Sequence, residues 1–234
     1  MTTAHSLKVF RAGDRFHTAI DWLDSWHSFS FGEHYHPDRV GYRSLRVIND
    51  DVVAPGRGFA THPHASMEIF TYVISGQLEH RDSMGNGRII SAGEFQYMSA
   101  GTGVEHSESN PSPEEKVHLL QIWITPSSPG GEPRYADRDT KPLRQKDALT
   151  LLASPTGREG SFAIRQHAEI HFGSLSAGSS LQPGAEYRHH YLHLIKGGLS
   201  LCGEGLSPGD GAAVDGEFSI KADEDSEFLL FSLN

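Results

Sequence analysis

The sequence holds a single cysteine, Cys202, among 234 residues, so it can form no internal disulfide and build no thiolate-rich zinc site. Basic residues are also scarce: 20 Lys and Arg against 30 Asp and Glu give a formal charge of −10. That balance repels phosphate backbones and removes the counterion-release drive for nucleic acid. No apolar run approaches the ~18 residues that would suggest a membrane span, and no basic amphipathic stretch suggests anchoring to a membrane surface. The opening MTTAHSLKVFRAGDRFHTAIDWL lacks a basic region followed by a continuous apolar core. Together with the cysteine usage, these absences predict a cytoplasmic protein that contacts neither nucleic acid nor membrane directly. Long apolar stripes of period 3.6 are missing too, so helix is expected to be minor.

What is present is a succession of short alternating or β-branched runs: Tyr42–Ile48, Glu68–Ile74, Arg88–Ile90, Phe95–Met98, Val117–Ile124, Phe162–Gln166, Tyr191–Ile195 and Phe228–Leu233. Turn-forming segments such as Asp82-Ser83-Met84-Gly85-Asn86 and Ser207-Pro208-Gly209-Asp210 punctuate them, which predicts an all-β fold of hairpins and meanders. A stretch rich in Pro, Gly and charge, Pro126–Asp147, reads as a linker. The expected division is 1–135, a linker at 136–147, and 148–234. Tyr72-Val73-Ile74-Ser75-Gly76-Gln77-Leu78 echoes His193-Leu194-Ile195-Lys196-Gly197-Gly198-Leu199, which suggests a duplicated β-unit.

Fifteen histidines are many for this length, and their positions matter more than their number. The informative pattern is Gly56-x5-His62-x-His64-x3-Glu68, then Gly76, then Gly93-x7-Gly101-x-Gly103-x2-His106-x-Glu108-x-Asn110. Residues i and i+2 of a strand face the same side, so His62 with His64, and His106 with Glu108, can each present two ligands to one point. Three imidazoles and a carboxylate suit Fe(II), Mn, Co, Ni, Cu or Zn, with positions left open for further ligands. Glu68 has the strand parity of His62 and His64, so the residues alone permit either Glu68 or Glu108 as the carboxylate.

These two blocks resemble the paired motifs of the cupin superfamily and, more narrowly, the pirin family. The narrower likeness rests on Asp21-Trp22-Leu23-Asp24-Ser25-Trp26-His27-Ser28-Phe29-Ser30-Phe31, Arg46-Val47-Ile48-Asn49-Asp50-Asp51, Thr61-His62-Pro63-His64, Met67-Glu68-Ile69, the turn from Asp82 to Asn86, and the run from Gly93 to Glu108. It is dense from about Leu7 to Tyr135 and weak beyond. The resemblance implies two cupin barrels in one chain, the N-terminal one holding a divalent metal, with iron first among the candidates, at His62, His64, His106 and Glu108. Glu68 then becomes a group that orients a ligand histidine. The matching positions of the second half carry Pro183, Ala185 and Ala222, so its barrel is expected to be metal-free and structural.

The likeness to bacterial pirins with quercetin 2,3-dioxygenase activity further implies a flat flavonol and dioxygen as substrates. Glu108 would accept the substrate's 3-hydroxyl proton, and ring opening would release carbon monoxide. Phe59, Phe70, Tyr72, Gln121 and Trp123 are the candidate pocket residues. The family also implies an alternative, a non-catalytic iron or redox sensor that acts through a protein partner. Another cupin metalloenzyme with a different aromatic substrate is a third reading. The remaining histidines read as ordinary: His34 and His36 as a surface loop, His189, His190 and His193 as a solvated edge or interface, and His27, His80 and His118 as singletons. Trp22, Trp26, Phe29 and Phe31 are expected to plug one end of the barrel.

Overall fold

The computed structural model describes residues 6–234; the first five residues, the start of the stretch read above for a leader, lie outside the described residues. Strand dominates, and helix among the described residues is confined to three-residue 3-10 turns, as the missing 3.6-residue stripes predict. No helix among them is long and apolar enough to cross a membrane.

The chain divides into two compact units, one formed by Phe16–Gly41 and Leu45–Pro142, the other by residues through Arg15, Tyr42–Ser44 and Leu143–Asn234. The division differs from the expected 1–135 and 148–234 in placing residues through Arg15 and Tyr42–Ser44 with the second unit. Strand Ser6–Phe10 pairs with Gly211–Asp215, and Leu7 and Val9 pack against the second unit's core. The expected linker is corrected as well, because Arg134–Asp139 within it is a strand hydrogen-bonded to Glu94–Ser99. It is the last strand of its sheet, and an edge strand tolerates the charge and low apolar content that read as linker.

In the first unit a seven-stranded sheet runs in the order Arg134–Asp139, Glu94–Ser99, Glu68–Ser75, Val117–Ile124, Leu45–Val53, Leu23–His27, Phe16–Ile20. A four-stranded sheet runs Gly58–His64, Val104–Ser109, Gln77–Asp82, Gly87–Ser91. The pairings are antiparallel throughout. Val53, Val73, Val117 and Leu119 from the large sheet meet Leu78 and Ile90 from the small one in a shared core, so the sheets pack face to face. Counting by two from these core positions gives Asp51 and Asn49, Thr71 and Ile69, and Gln121 and Trp123. The inner face is thus apolar at one end and mixed further along, where Asn49, Asp51, Ile69, Gln121 and Trp123 line a cavity.

The second unit repeats the plan with a seven-stranded and a four-stranded sheet. Gly76 and Gly197, aligned in the sequence echo, follow the equivalent strands Glu68–Ser75 and His189–Lys196 with φ of 77° and 85°. A Cβ would meet the Lys116 carbonyl oxygen at 2.6 Å in the first case and that of Asp225 at 2.3 Å in the second, so both turns require glycine. The second core is built from Leu, Ile, Val, Phe and Ala. His189, His190 and His193 lie on a central strand between Gly211–Asp215 and Ser226–Leu233, which corrects the solvated-edge expectation. His190 and His193 are buried, and His189 Nδ1 is 2.6 Å from Asp215 on the neighbouring strand.

Candidate metal centre

His62 and His64 sit on Gly58–His64, and His106 sits opposite His62 on Val104–Ser109. Each offers a ring nitrogen within 4.8 Å of the others'. His62 Nδ1 donates to the Ala60 carbonyl at 2.8 Å, which leaves its Nε2 with the lone pair. His106 Nε2 is buried with no hydrogen-bond partner, a condition that is costly unless something electropositive meets it. Burial, reinforced by the neighbouring imidazoles, pulls His64 down to about 4 and His106 to about 3. Both rings are therefore neutral near pH 7, the form that binds metal. Clustered neutral imidazoles with an orphaned nitrogen fit a divalent ion.

Glu108 groups with His106 and His80 within the same 4.8 Å limit rather than with His62 and His64. The four expected ligands are thus divided between two sets that share His106, the second completed by His80. Gln121 Nε2 donates to Glu108 Oε2 at 2.7 Å, and the Thr71 hydroxyl lies 3.3 Å from Glu108 Oε1 and 3.2 Å from Gln121 Oε1. Gly58 lets the two strands approach, since a Cβ there would meet the Glu108 carbonyl oxygen at 2.2 Å.

Glu68 lies elsewhere. The chain turns through Ser66 at φ 51°, so Glu68 begins a strand of the large sheet and no longer shares the face of His62 and His64. Its carboxylate accepts from the Tyr97 hydroxyl at 2.5 Å and the Ser99 hydroxyl at 2.6 Å.

A cavity of about 280 Å³ opens over the cluster, lined by His62, His64, His106, Glu108 and Gln121. Its aromatic wall is Phe31, Phe59 and Trp123. Trp123 meets His64 edge to face at 4.9 Å and Phe31 at 5.5 Å. A β-bulge explains Phe59: the register steps from His106 opposite His62 to Glu108 opposite Phe59, three residues against two, which returns Phe59 to the inner face. Phe70 and Tyr72, also expected in the pocket, point to the other face of their strand. Phe70 stacks on Phe95 and Tyr97 at 5.5 and 5.1 Å, and Tyr72 packs on Phe95. Of the aromatic plug, Phe31 lines the cavity, Trp22 packs edge to face on Phe59, Phe29 is buried, and Trp26 stacks on His17.

Two groups escaped the sequence reading. Ser25, His27, Asn49 and Asp51 line the cavity, joined by His27 Nδ1 to Asn49 Oδ1 at 2.8 Å and by the Ser25 hydroxyl donating to Asp51. Thr18 bridges His27 and His34 at 3.0 Å each. Burial raises Asp51 to about 7, with the Ser25 hydrogen bond opposing and the charges of Asp50 and Glu108 adding. The second group is His80 with Asp82, whose side chains have no exposed surface. The alternation Leu78-x-His80-x-Asp82, with Leu78 in the core, was the available signal for it.

The family model for pirin matches residues 9–124, and that for the quercetinase C-terminal cupin domain matches residues 151–233. A quercetin 2,3-dioxygenase of Escherichia coli K12 is 47% identical over 226 residues, covering 95% of this chain and 96% of that protein. This chain belongs to the pirin family. Among solved pirins, the Escherichia coli protein YhhW in complex with nickel(II) superposes with a TM-score of 0.93 at 44% identity, over 97% of this chain and 99% of that one. A quercetin 2,3-dioxygenase of Acinetobacter baumannii shares the fold at a TM-score of 0.77 and 22% identity, over 96% of this chain and 84% of that one. The two units of this pirin are therefore cupin domains, and the fold is an all-β bicupin.

Proposed function

We propose that this pirin is a metal-dependent dioxygenase that opens the heterocycle of a flavonol such as quercetin and releases carbon monoxide. Its divalent ion, with Fe(II) preferred, would be held by His62, His64 and His106 with Glu108. The observation that carries this reading is the buried, partnerless His106 Nε2 beside His62 and His64, at a cavity with an aromatic wall. The names of its relatives and the nickel(II) complex of YhhW support it.

A bound divalent ion supplies Lewis acidity to a phenolic hydroxyl and open positions for dioxygen. The protein's own groups supply the rest. Glu108 is a buried carboxylate hydrogen-bonded by the neutral side chains of Gln121 and Thr71, so it keeps acceptor capacity for the flavonol 3-hydroxyl proton. Gln121 and Thr71 fix the direction of its oxygens. Phe31, Phe59 and Trp123 clamp a flat ring system and exclude water, while Ser25, Asn49 and Asp51 offer hydrogen-bonding groups to peripheral hydroxyls.

Loading the chelated protein with Fe(II) anaerobically, then adding oxygen and quercetin, should release carbon monoxide in step with quercetin loss. Carbon monoxide no greater than that from His62→Ala would refute the assignment. Tight quercetin binding without turnover would favour the sensor reading.

A further inference from the structure

Behind His106 lies a second imidazole that the proposed reaction does not use. Strand Gln77–Asp82 runs antiparallel to Val104–Ser109, with Asp82 opposite His106 and His80 opposite Glu108. His80 is held on several sides: Tyr135 stacks on its ring at 4.8 Å, Gln96 Nε2 lies 2.9 Å from its Nδ1, and Asp82 Oδ2 lies 3.1 Å from its Nε2. His106 Nδ1 lies 3.5 Å from His80 Nδ1, and a Glu108 carboxylate oxygen lies within 4.8 Å of a ring nitrogen of each.

The hydrogen-bond directions follow from chemistry. A carboxylate only accepts, so His80 carries its proton on Nε2 and donates it to Asp82. With the Gln96 amide nitrogen turned toward it and Gln96 Oε1 buried without a hydrogen-bond partner, His80 Nδ1 carries the lone pair. His106 Nδ1, at 3.5 Å, shares that lone pair with Gln96; a proton on His106 Nδ1 avoids facing two lone pairs and leaves Nε2 unprotonated. Nε2 is the atom that is buried without a partner. Asp82 is fixed in turn: its Oδ1 accepts from the amides of Met84 and Asn86 at 2.9 and 3.0 Å. The turn Asp82–Asn86, read in the sequence as a hairpin signal, therefore also clamps the carboxylate.

We infer that Asp82, His80 and His106 form a relay that sets the tautomer of His106 and directs its Nε2 toward the cation of the histidine cluster. The inference rests on the metal-centre reading above. Asp82 and His80 are positioning residues, acting through His106. Ligand histidines ordinarily pass their second N–H to a carboxylate or carbonyl; here a whole imidazole is interposed. His62 leans on the neutral carbonyl of Ala60, whereas His106 leans on a chain that ends in a carboxylate, so His106 is the more electron-rich donor.

Asp82→Asn keeps an oxygen for the Met84 and Asn86 amides but turns an amide N–H toward His80 Nε2. His80 must then carry its proton on Nδ1, against the Gln96 and His106 donors, and the His106 proton is driven onto Nε2, the ligand atom. For the full-length protein, Co(II) affinity measured by chelator competition should weaken by about 10-fold or more, within the ~10–100-fold that such outer partners command. The Co(II) d–d absorption band should shift as well. The melting midpoint of the chelated variants is recorded alongside, to separate loss of fold from loss of donor. His80→Gln can still donate to Asp82 through its amide nitrogen and accept from His106 through its oxygen, so it should recover most of the affinity. His80→Leu should not, and this pair decides the matter should Asp82→Asn fail to fold. Tight wild-type binding that is unchanged, with an unshifted band, in both Asp82→Asn and His80→Leu overturns the relay alone. Equally weak binding by wild type and His62→Ala overturns the metal-centre reading and the relay with it.

Discussion

Asp51 is a buried carboxyl group in the cavity wall. It receives a hydrogen bond from Ser25 and is raised to about 7. Because the folded value exceeds the unfolded one of ~3.9, the folded state binds the extra proton between those pH values. Asp51 therefore costs nothing below about pH 4, costs progressively more as pH rises, and reaches its full cost above about pH 7. Asp51→Asn can keep the Ser25 hydrogen bond through its amide oxygen while removing the charge. The metal-free variant should match wild type near pH 4 and exceed it at pH 8 by up to about 4 kcal/mol, at ~1.36 kcal/mol per pH unit. Urea unfolding across that range measures it; a constant difference at every pH would sink the argument. In the sequence Asp51 stood out only as part of the run Arg46–Asp51 and without a role, because its burial depends on which way one strand faces. His62, His64 and His106 were legible because x-spaced histidines on two glycine-flanked strands carry their own geometry.

At the scale of the strand, alternation was readable but its phase was not. Within Glu68–Ser75, Phe70 and Tyr72 look like pocket aromatics, yet it is Thr71 between them that touches the cavity residues Glu108 and Gln121. Phase depends on the turn at Ser66 and the bulge opposite Glu108, and neither has a sequence signature strong enough to count through. This predicts opposite phenotypes for adjacent substitutions. Phe70→Ala, in a fully buried stack with Phe95 and Tyr97, should cost about 3–5 kcal/mol of stability and leave the KM of the surviving folded enzyme unchanged. Thr71→Val should cost only about 1–2 kcal/mol but lower kcat for carbon monoxide release, because Glu108 loses a hydroxyl that fixes it. Denaturant titrations beside steady-state kinetics separate the two; a kcat loss confined to Phe70→Ala would reverse the facing of the strand. The same limit hid strand Arg134–Asp139, where Arg88 pairs with Asp137 at 2.8 Å, since charged edge strands and linkers share a composition.

For the whole molecule, duplication was legible in the echoed turns around Gly76 and Gly197, whereas the crossing of Ser6–Phe10 into the second unit was not, because strand partners are chosen by tertiary fit. Each unit closes its own core, and the candidate ligands all lie in the first. A cation that binds only the folded first unit stabilises it by RT ln(1 + [L]/Kd), about 2.7 kcal/mol at 100 times Kd. Native-state hydrogen exchange resolves stability segment by segment. Adding Ni(II) or Fe(II) to the chelated protein should slow exchange in Gly58–His64 and Val104–Ser109. Ala168–Leu175 and Ser226–Leu233, in the second unit, should exchange at their metal-free rates. Equal protection of both sets would mean that the units open together, and that a cupin barrel without the histidine set still feels the occupancy of the one that has it.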